Sequence, residues 1–321
     1  MECPPGCFYP TEVIFVDDSE SYLQMLSIFF KDIRSILLKT FKDPQEALAY
    51  IKTRATAQQR INWEQENCFT PNCYALKLNV FSLHKQIYNP HRYAQISVVI
   101  ADYDLTEKCM NGIEFCRRIE DKNIQKILFT GQADREFVIQ AFNEGIIQQY
   151  LPKSNVKNIK DILNIIKAAQ SRYFMACTAS LDVALRSDQR FPLALHSKKF
   201  HQLFNRIIEQ HNIIEYYLLD GVGSFLLVDG SNKTQLLVVQ NEDQVSANCL
   251  ELQDEISNDK LEALKEGKFI YYNTLFWNNN PQHAYQALIS SEALTDGPHK
   301  FFYGITESKE AFDRDRMVFL S

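Results

Sequence analysis

The segment EVIFVDD, residues 12–18, decides the fold because an apolar run ends there in two adjacent acids, Asp17 and Asp18. Three later segments have the same form, an apolar run that ends in a polar residue. They are ISVVIAD (96–102), ending at Asp102, QKILFT (125–130), ending at Thr130, and IIQQYLPK (146–153), ending at Lys153. Continuous apolar runs of this length are typical of strands buried on both faces, and hence of a parallel sheet.

Helical segments separate these runs, as a doubly wound α/β fold requires. Ser19 is a candidate cap for a helix after the first run, and SILLKTF (35–41) is a further strand. Asp43 and Pro44 then open the next helix. We therefore predict a doubly wound, five-stranded parallel sheet. Ligands of such open sheets bind outside the carboxyl ends of the strands, where all the polar run-ending residues fall.

The polar residues at that edge suit phosphoryl transfer. Clustered carboxylates are ligands for a hard divalent cation, which makes Asp17, Asp18 and Asp102 candidate metal ligands. A lysine beside them, here Lys153, suits a phosphoryl oxygen.

These motifs, in this order, resemble the receiver domain of two-component response regulators, which has the CheY-like fold. The resemblance covers approximately residues 11–155. The matched features are the acidic pair Asp17 and Asp18, the phosphoacceptor Asp102, the turn Met110-Asn111-Gly112, the hydroxyl of Thr130, the switch aromatic Tyr150 and the lysine Lys153.

The resemblance implies a signalling protein rather than an enzyme, which accepts a phosphoryl group on Asp102 from a histidine kinase or a phosphotransfer protein. Asp18 and Asp102 would bind Mg²⁺ directly, and Asp17 would act partly through water. Lys153 and Thr130 would contact the phosphoryl oxygens, so these two residues and Asp102 form the expected catalytic group.

Signal output is the second implication of the resemblance. Movement of Thr130 would be transmitted to Tyr150 and to the surface formed by the receiver's fourth helix, fifth strand and fifth helix. A phosphorylation-dependent homodimer through that surface is the expected consequence.

The position of the phosphoacceptor has one alternative. The loop YDLTEKCMNG after Asp102 is longer than the usual spacing between acceptor and glycine, and counting back from Gly112 by that spacing reaches Asp104. The apolar run ISVVIA and the small Ala101 favour Asp102. Asp104 stays open as the alternative.

Residues 61–93 form a segment longer than the connection between a second helix and a third strand requires, and we expect an inserted excursion there. Cys68, Cys73, His84 and His91 could ligate zinc, although their spacing departs from that of zinc fingers. Scattered thiols and surface histidines are the alternative.

The fifth helix is predicted to continue beyond the sheet. No glycine or proline interrupts residues 153–191, and an apolar stripe recurs at helical spacing at Ile159, Ile162, Ile166, Ala169 and Tyr173. Its continuation past Ala169 favours a linker or a dimer seam. The predicted domains are therefore a receiver at 1–155, with an insertion at about 61–93, an extended helix and linker at 156–191, and an output domain at 192–321.

The output segment reads as α+β. Residues 197–212 predict an amphipathic helix, and residues 215–241 predict an antiparallel meander with turns at Asp220-Gly221 and Asp229-Gly230. Helical segments and two further strands follow in the sequence.

Charge is distributed unevenly between the two halves. Residues 1–175 contain 21 Lys+Arg and 20 Asp+Glu, whereas residues 176–321 contain 13 and 20. Because nucleic-acid affinity depends on lysine and arginine contacts to phosphates, the acidic second half disfavours a DNA-binding output. The chain has 8 cysteines and lacks both a secretion signal and a long apolar stretch, so we expect a cytoplasmic protein with free thiols and no membrane association.

Two functional classes remain for the output domain. The first binds a protein partner or a second copy of the chain, and the overall plan is similar to that of quorum-sensing response regulators of the Lqs type. The second binds nucleic acid or a cyclic dinucleotide. Arg186 and Arg190 fit the paired arginines of PilZ domains, and residues 229–234 approximate the companion motif without its final glycine.

Overall fold

The computed structural model describes residues 3–57, 65–66, 77–78, 81–105, 110–131, 135–181, 183, 194–273, 286–308 and 312–320. The chain divides into two compact units. The parallel unit consists of Tyr9–Arg60 and Pro90–Cys177, and the antiparallel unit consists of Met1–Phe8, Ile61–Asn89 and Thr178–Ser321.

The strands in the described residues are β1 (Cys7–Phe8), β2 (Thr11–Val16), β3 (Ile36–Phe41), β4 (Gln65–Glu66), β5 (Lys77–Leu78), β6 (Ile96–Ala101), β7 (Gln125–Thr130), β8 (Gln149–Pro152), β9 (Ile213–Leu218), β10 (Phe225–Asp229), β11 (Thr234–Asn241), β12 (Phe269–Asn273), β13 (Gln286–Ser290), β14 (Glu292–Asp296) and β15 (His299–Glu307). The helices are α1 (Glu20–Phe30), α2 (Pro44–Ala57), α3 (Phe81–His84), α4 (Gly112–Arg117), α5 (Arg135–Asn143), α6 (Ile159–Cys177), α7 (Lys198–Gln210), α8 (Glu242–Leu252) and α9 (Asn258–Lys265).

The parallel unit is the predicted doubly wound sheet. Its five strands lie in the order β3-β2-β6-β7-β8, and every neighbouring pair is parallel. All residues of β2, β6 and β7 are buried, which explains their continuous apolar sequences. Two apolar clusters cover the sheet, one with α2, α4 and α5 and the other with α1 and α6. The predicted fold class is confirmed for this unit.

Helix α6 continues to Cys177, as its apolar periodicity predicted. The apolar residues Ala169, Tyr173 and Phe174 near its end are nevertheless buried in the parallel unit. The Tyr173 hydroxyl donates a hydrogen bond to Gln95 Oε1 at 3.4 Å, and the ring of Phe174 packs edge-on against Tyr9 at 4.7 Å. Ala169 and Tyr173 therefore cover their own unit and do not supply a dimer seam, and that interpretation of the stripe is wrong.

The antiparallel unit contains the predicted meander. Strands β9, β10 and β11 pair in sequence within a six-stranded sheet of order β1-β9-β10-β11-β15-β14, and β12 pairs with β13. Helix α7 begins as predicted, because the Ser197 side chain accepts a hydrogen bond from the Phe200 amide. The α+β class is confirmed, although strands β1, β13 and β14 were not anticipated.

The two units differ in extent from the predicted domains. Residues 1–8 belong to the antiparallel unit because β1 pairs with β9, and α6 belongs to the parallel unit because it covers that sheet. Within the segment 61–93, the described residues up to Asn89 also group with the antiparallel unit, and its role as an insertion stays a prediction. The functional division into receiver, linker and output stays a prediction.

Among the described helices, none is both long enough and apolar enough to cross a membrane. The described cysteines, Cys3, Cys7, Cys116, Cys177 and Cys249, form no disulfide bond with one another.

Candidate functional site

The carboxyl ends of the parallel strands bring the predicted residues together. Val16 is in register with Ala101, so that β2 and β6 end side by side, and the Asp102 amide donates a hydrogen bond to the Val16 carbonyl at 2.9 Å. Thr130 is in register with Pro152, the residue before Lys153. The strand ends therefore place two carboxylates, a hydroxyl and an ammonium group at one edge.

Lys153 joins two acidic residues that are distant in sequence. Its Nζ lies 2.9 Å from Asp17 Oδ2 and 2.7 Å from Asp102 Oδ2. Both carboxylates are buried, whereas 33% of the lysine side chain is exposed. One ammonium group thus neutralises part of the charge of two buried acids.

The pKa values of these groups reflect burial and pairing together. Burial raises the pKa of Asp17, although hydrogen bonds from Lys153 and from the Ser19 amide oppose the rise. Burial by itself lowers the pKa of Lys153, but the hydrogen bonds and charges of Asp102 and Asp17 outweigh it and raise this pKa. Lys153 therefore stays charged at neutral pH.

A third carboxylate completes an acidic cluster. One oxygen atom each from Asp17, Asp18 and Asp102 lies within 4.8 Å of the others, and Asp18 is exposed. The Asp102 Oδ1 atom is buried and has no hydrogen-bond partner among the described residues. A hard divalent cation fits these oxygen ligands and would satisfy that atom, so the residues present are compatible with Mg²⁺.

The described residues on either side of 106–109, Tyr103 and Gly112, lie close to Asp102. The Tyr103 carbonyl accepts hydrogen bonds from the amides of Leu105 and Gly112, at 3.1 and 3.0 Å. A Cβ atom on Gly112 would lie 2.2 Å from the Asp102 carbonyl oxygen, so only glycine permits this approach. Asp104, the alternative phosphoacceptor, is exposed.

The two predicted switch residues lie on adjacent strands. Thr130 is fully buried at the end of β7. Tyr150, on β8, is half-buried and packs against the apolar cluster that includes residues of α5. Their places fit a path from the acidic cluster to α5 and β8, and their function stays a proposal.

Sequence reasoning missed two aromatic rings, those of Tyr22 and Phe129, that lie beside Lys153. The ammonium group lies 5.7 Å from the centre of the Tyr22 ring and 5.5 Å from that of Phe129. Tyr22 lies in the first turn of α1, close behind the acidic pair, and Phe129 directly precedes Thr130. Their positions next to known motif residues are the signal that could have revealed them.

The other candidate ligands are only partly described. Cys68, Cys73, Arg186 and Arg190 lie outside the described residues. His84 is buried beside Phe312, with ring centres 5.3 Å apart, and burial lowers its pKa to about 4. Residues 229–234 form the turn between β10 and β11, where Asp229 Oδ1 accepts the amides of Ser231 and Lys233.

A parallel sheet of this strand order, with acidic residues and a lysine at its carboxyl edge, defines the receiver class of response regulators. Along nearly its whole length the chain is similar to the solved Legionella pneumophila response regulator LqsR. Identity is 32%, the alignment covers 98% of this chain and 93% of that chain, and the TM-score is 0.74. The chain therefore belongs to the LqsR family of response regulators and is a two-component signalling regulator.

Separate receiver domains are similar to about half of the chain. The signal receiver domain of an HD domain-containing protein from Pseudomonas fluorescens Pf-5 is 20% identical, over 51% of this chain and 97% of that chain, with a TM-score of 0.35. A response regulator receiver domain from Clostridium thermocellum is 22% identical, over 50% and 95%, with a TM-score of 0.33. No protein-family model and no curated protein matches the chain.

Proposed function

We propose that Asp102 accepts a phosphoryl group from a histidine kinase or a phosphotransfer protein. The observation that carries this proposal is the unequal pairing of the two oxygen atoms of the Asp102 carboxylate. Its Oδ2 atom is bound by Lys153 at 2.7 Å, while its Oδ1 atom is buried and has no partner among the described residues. A buried carboxylate oxygen without a partner is costly, and it is retained where it has chemistry to perform.

In this transfer an Asp102 oxygen attacks the phosphorus atom of phosphohistidine. The new O–P bond forms as the N–P bond breaks, and the imidazole nitrogen leaves with the electron pair. Lys153 exchanges a carboxylate partner for a phosphoryl oxygen, and the Thr130 hydroxyl donates to another. Such reactions depend mainly on positioning and on compensation of charge.

Asp17, Asp18 and Asp102 would hold Mg²⁺, with the backbone carbonyl of Asp104 as a further ligand. When bound, the ion supplies positive charge against the phosphoryl oxygens. The residues of the chain then orient the acceptor and keep its surroundings largely dry.

Phosphorylation by acetyl phosphate in the presence of Mg²⁺ tests the acceptor. Intact mass should increase by one phosphoryl group in the unaltered protein and in Asp104→Asn, and Asp102→Asn should show no increase. Asp104→Asn is the matched control because it alters an exposed acid of the same loop. Uptake by Asp102→Asn together with loss in Asp104→Asn would assign the acceptor to Asp104.

We propose that phosphorylation promotes a homodimer through α5, β8 and α6. Helix α5 exposes Phe137, Ile139 and Phe142 by 56%, 58% and 55%. Phe137 lines a cleft with α4, whereas at about 3.6 residues per turn Ile139 and Phe142 lie on the other flank of the helix. Exposed apolar side chains on that flank favour a partner, and a symmetric dimer is the commonest arrangement.

Light scattering at equal concentration tests the dimer. Phosphorylated protein should have a higher mass than Asp102→Asn, and the double variant Ile139→Ser/Phe142→Ser should stay monomeric although it is phosphorylated. Phe137→Ser is the control, since it removes a similar exposed ring from the other flank. A monomer in every sample would exclude the dimer and leave binding of a separate protein as the output.

The surface of the antiparallel unit supports a protein partner rather than nucleic acid. Its helices α8 and α9 and the segment between them expose several acids, Glu242, Asp243, Glu251, Asp254, Glu255, Asp259 and Glu262. Such a surface repels a phosphate backbone. We propose cytoplasmic quorum sensing as the biological setting, on the basis of the likeness to Lqs-type regulators.

A further inference from the structure

Three aromatic rings form a cluster beside Lys153 that phosphoryl transfer, as proposed above, does not use. Phe15 and Phe129 are buried on β2 and β7, and Tyr22 is half-buried on α1. The ring centres are 5.9 Å apart for Phe15 and Tyr22, 5.8 Å for Phe15 and Phe129, and 6.0 Å for Tyr22 and Phe129. Each ring therefore restrains the other two.

The cluster also contacts the ammonium group that pairs with Asp17 and Asp102. The ammonium group lies within about 6 Å of a ring centre, the range in which a cation is attracted to an aromatic face. It meets this condition for two rings that stack at an angle of 22°. Burial and the charges of Asp17 and Asp102 raise the pKa of Tyr22, so that its ring remains neutral.

During transfer the carboxylates that hold Lys153 change their partners, whereas the rings do not. Asp102 becomes an acyl phosphate, a mixed anhydride, and Asp17 is free to turn toward another cation. An ammonium group held only by these two acids would lose its fixed position at that moment. The aromatic faces are a restraint that persists, because neither ring takes part in the reaction.

We propose that Tyr22 and Phe129 are positioning residues, which keep the ammonium group of Lys153 directed at the phosphoryl group on Asp102. This inference rests on the proposed phosphoacceptor function. The competing explanation is that the rings only pack the core. That explanation accounts for Phe15, but it does not require the half-exposed Tyr22 to present its ring to Lys153.

The rate of phosphorylation by acetyl phosphate tests the proposal. In this reaction an Asp102 oxygen bonds to phosphorus, the P–O bond to acetate breaks, and acetate leaves with the electron pair. Tyr22→Leu should lower the maximal rate by about tenfold, as expected for loss of a partly desolvated cation–aromatic contact. The donor concentration at half-maximal rate should stay unchanged, because the proposed role of the rings is to direct Lys153 and not to bind the donor.

Two variants separate positioning from packing. Tyr22→Phe keeps the ring and should retain the rate. Phe29→Leu removes a half-buried ring from the same helix and the same apolar cluster, and it should also retain the rate. An unaltered rate in Tyr22→Leu, or an equal loss in Tyr22→Leu and Phe29→Leu, would overturn the proposal.

Nuclear magnetic resonance provides a readout that does not depend on phosphorylation. The ε-methylene signals of Lys153, identified by their absence in Lys153→Arg, should show ring-current shifts in the unaltered protein and in Tyr22→Phe. These shifts should decrease in Tyr22→Leu. If the protein takes up no phosphate, the proposed function fails. The ring-current shifts still decide whether the rings hold the lysine. Absence of these shifts in the unaltered protein would overturn the inference.

Discussion

The parallel and antiparallel units use polar residues at strand ends in opposite ways. In the parallel unit β2, β6, β7 and β8 all end at one edge, so that the residues following them converge there. In the antiparallel sheet neighbouring strands run in opposite directions, so that the ends of β9 and β10 lie at opposite edges. Parallel strands concentrate chemical groups, whereas antiparallel strands disperse them.

The dispersed residues of the antiparallel unit serve their own backbone. Asp220, after β9, accepts hydrogen bonds from the amides of Val222, Gly223 and Ser224 at 3.0, 3.0 and 3.1 Å. Asp102, after β6, has one carboxylate oxygen that accepts no hydrogen bond in the described residues. A carboxylate oxygen that accepts several backbone hydrogen bonds stabilises a turn. A carboxylate oxygen that accepts none is available for a reaction.

The largest change in stability is expected at Gly112 in the parallel unit. Gly112→Ala should lower the free energy of unfolding by about 3 kcal/mol, because the new Cβ would overlap the backbone of Asp102. Denaturant unfolding measures this change. Gly131→Ala is the control at the same edge, since nothing lies within 4 Å of its added atom. Similar stability of both variants would show that the close approach of Gly112 to Asp102 does not restrict this position.

A smaller loss is expected in the antiparallel unit. Asp220→Ala removes the acceptor of three backbone amides and should cost about 2 kcal/mol in the free energy of unfolding. Asp254→Ala, an exposed acid, should change it little. Phosphorylation should be normal in both variants. Impaired phosphorylation in Asp220→Ala would contradict the separation of roles between the two units.

Acidification should destabilise the antiparallel unit through His84. Burial lowers its pKa to about 4, whereas the unfolded chain has the ordinary value of 6.5. The stability that this difference contributes is complete above pH 6.5 and is lost as the pH falls toward 4. At pH 5 the loss should be about 2 kcal/mol. The free energy of unfolding of His84→Gln, compared at pH 7 and pH 5, should not show this loss. A pH dependence equal to that of the unaltered protein would exclude His84 as the source of the loss.

The smallest expected effect is an increase in the free energy of unfolding, opposite in sign to the losses described above. Burial raises the pKa of Asp17, so the stability tied to its protonated form is lost as the pH rises through the raised pKa. Asp17→Asn cannot ionise and should therefore be more stable than the unaltered protein at pH 7 without divalent cations. Asp18→Asn, which alters an exposed acid, should be nearly neutral. A less stable Asp17→Asn would mean that its ion pair with Lys153 outweighs the cost of burial.

The parallel unit could be predicted from the sequence because its strands are locally recognisable. Apolar runs ending at Asp18, Asp102, Thr130 and Lys153 specify both the strands and the edge at which they meet. The aromatic contacts of Lys153 were missed because they depend on side-chain packing between α1 and β7, which no spacing rule encodes. The sequence could rank Asp102 above Asp104, but the contact between Gly112 and the Asp102 carbonyl depends on tertiary structure.

Prediction was less complete for the antiparallel unit. The Asp-Gly turns identified β9, β10 and β11, since a hairpin turn is a local signal. Strand β1 has only two residues and pairs with a strand far along the chain, so it has no local pattern to recognise. Similarly, the apolar stripe of α6 predicted a long helix but not its partners, Tyr9 and Gln95.

The pairing of β1 with β9 has a consequence for biosynthesis. The ribosome makes Cys7 long before its partner Tyr217, and the whole parallel unit is synthesised between them. The parallel unit can therefore fold on the ribosome while the first strand of the other sheet waits for its neighbour. A chain cut between Cys177 and Thr178 would separate β1 from β9. The cut would leave the β9 edge of that sheet uncovered, where another chain could pair with it.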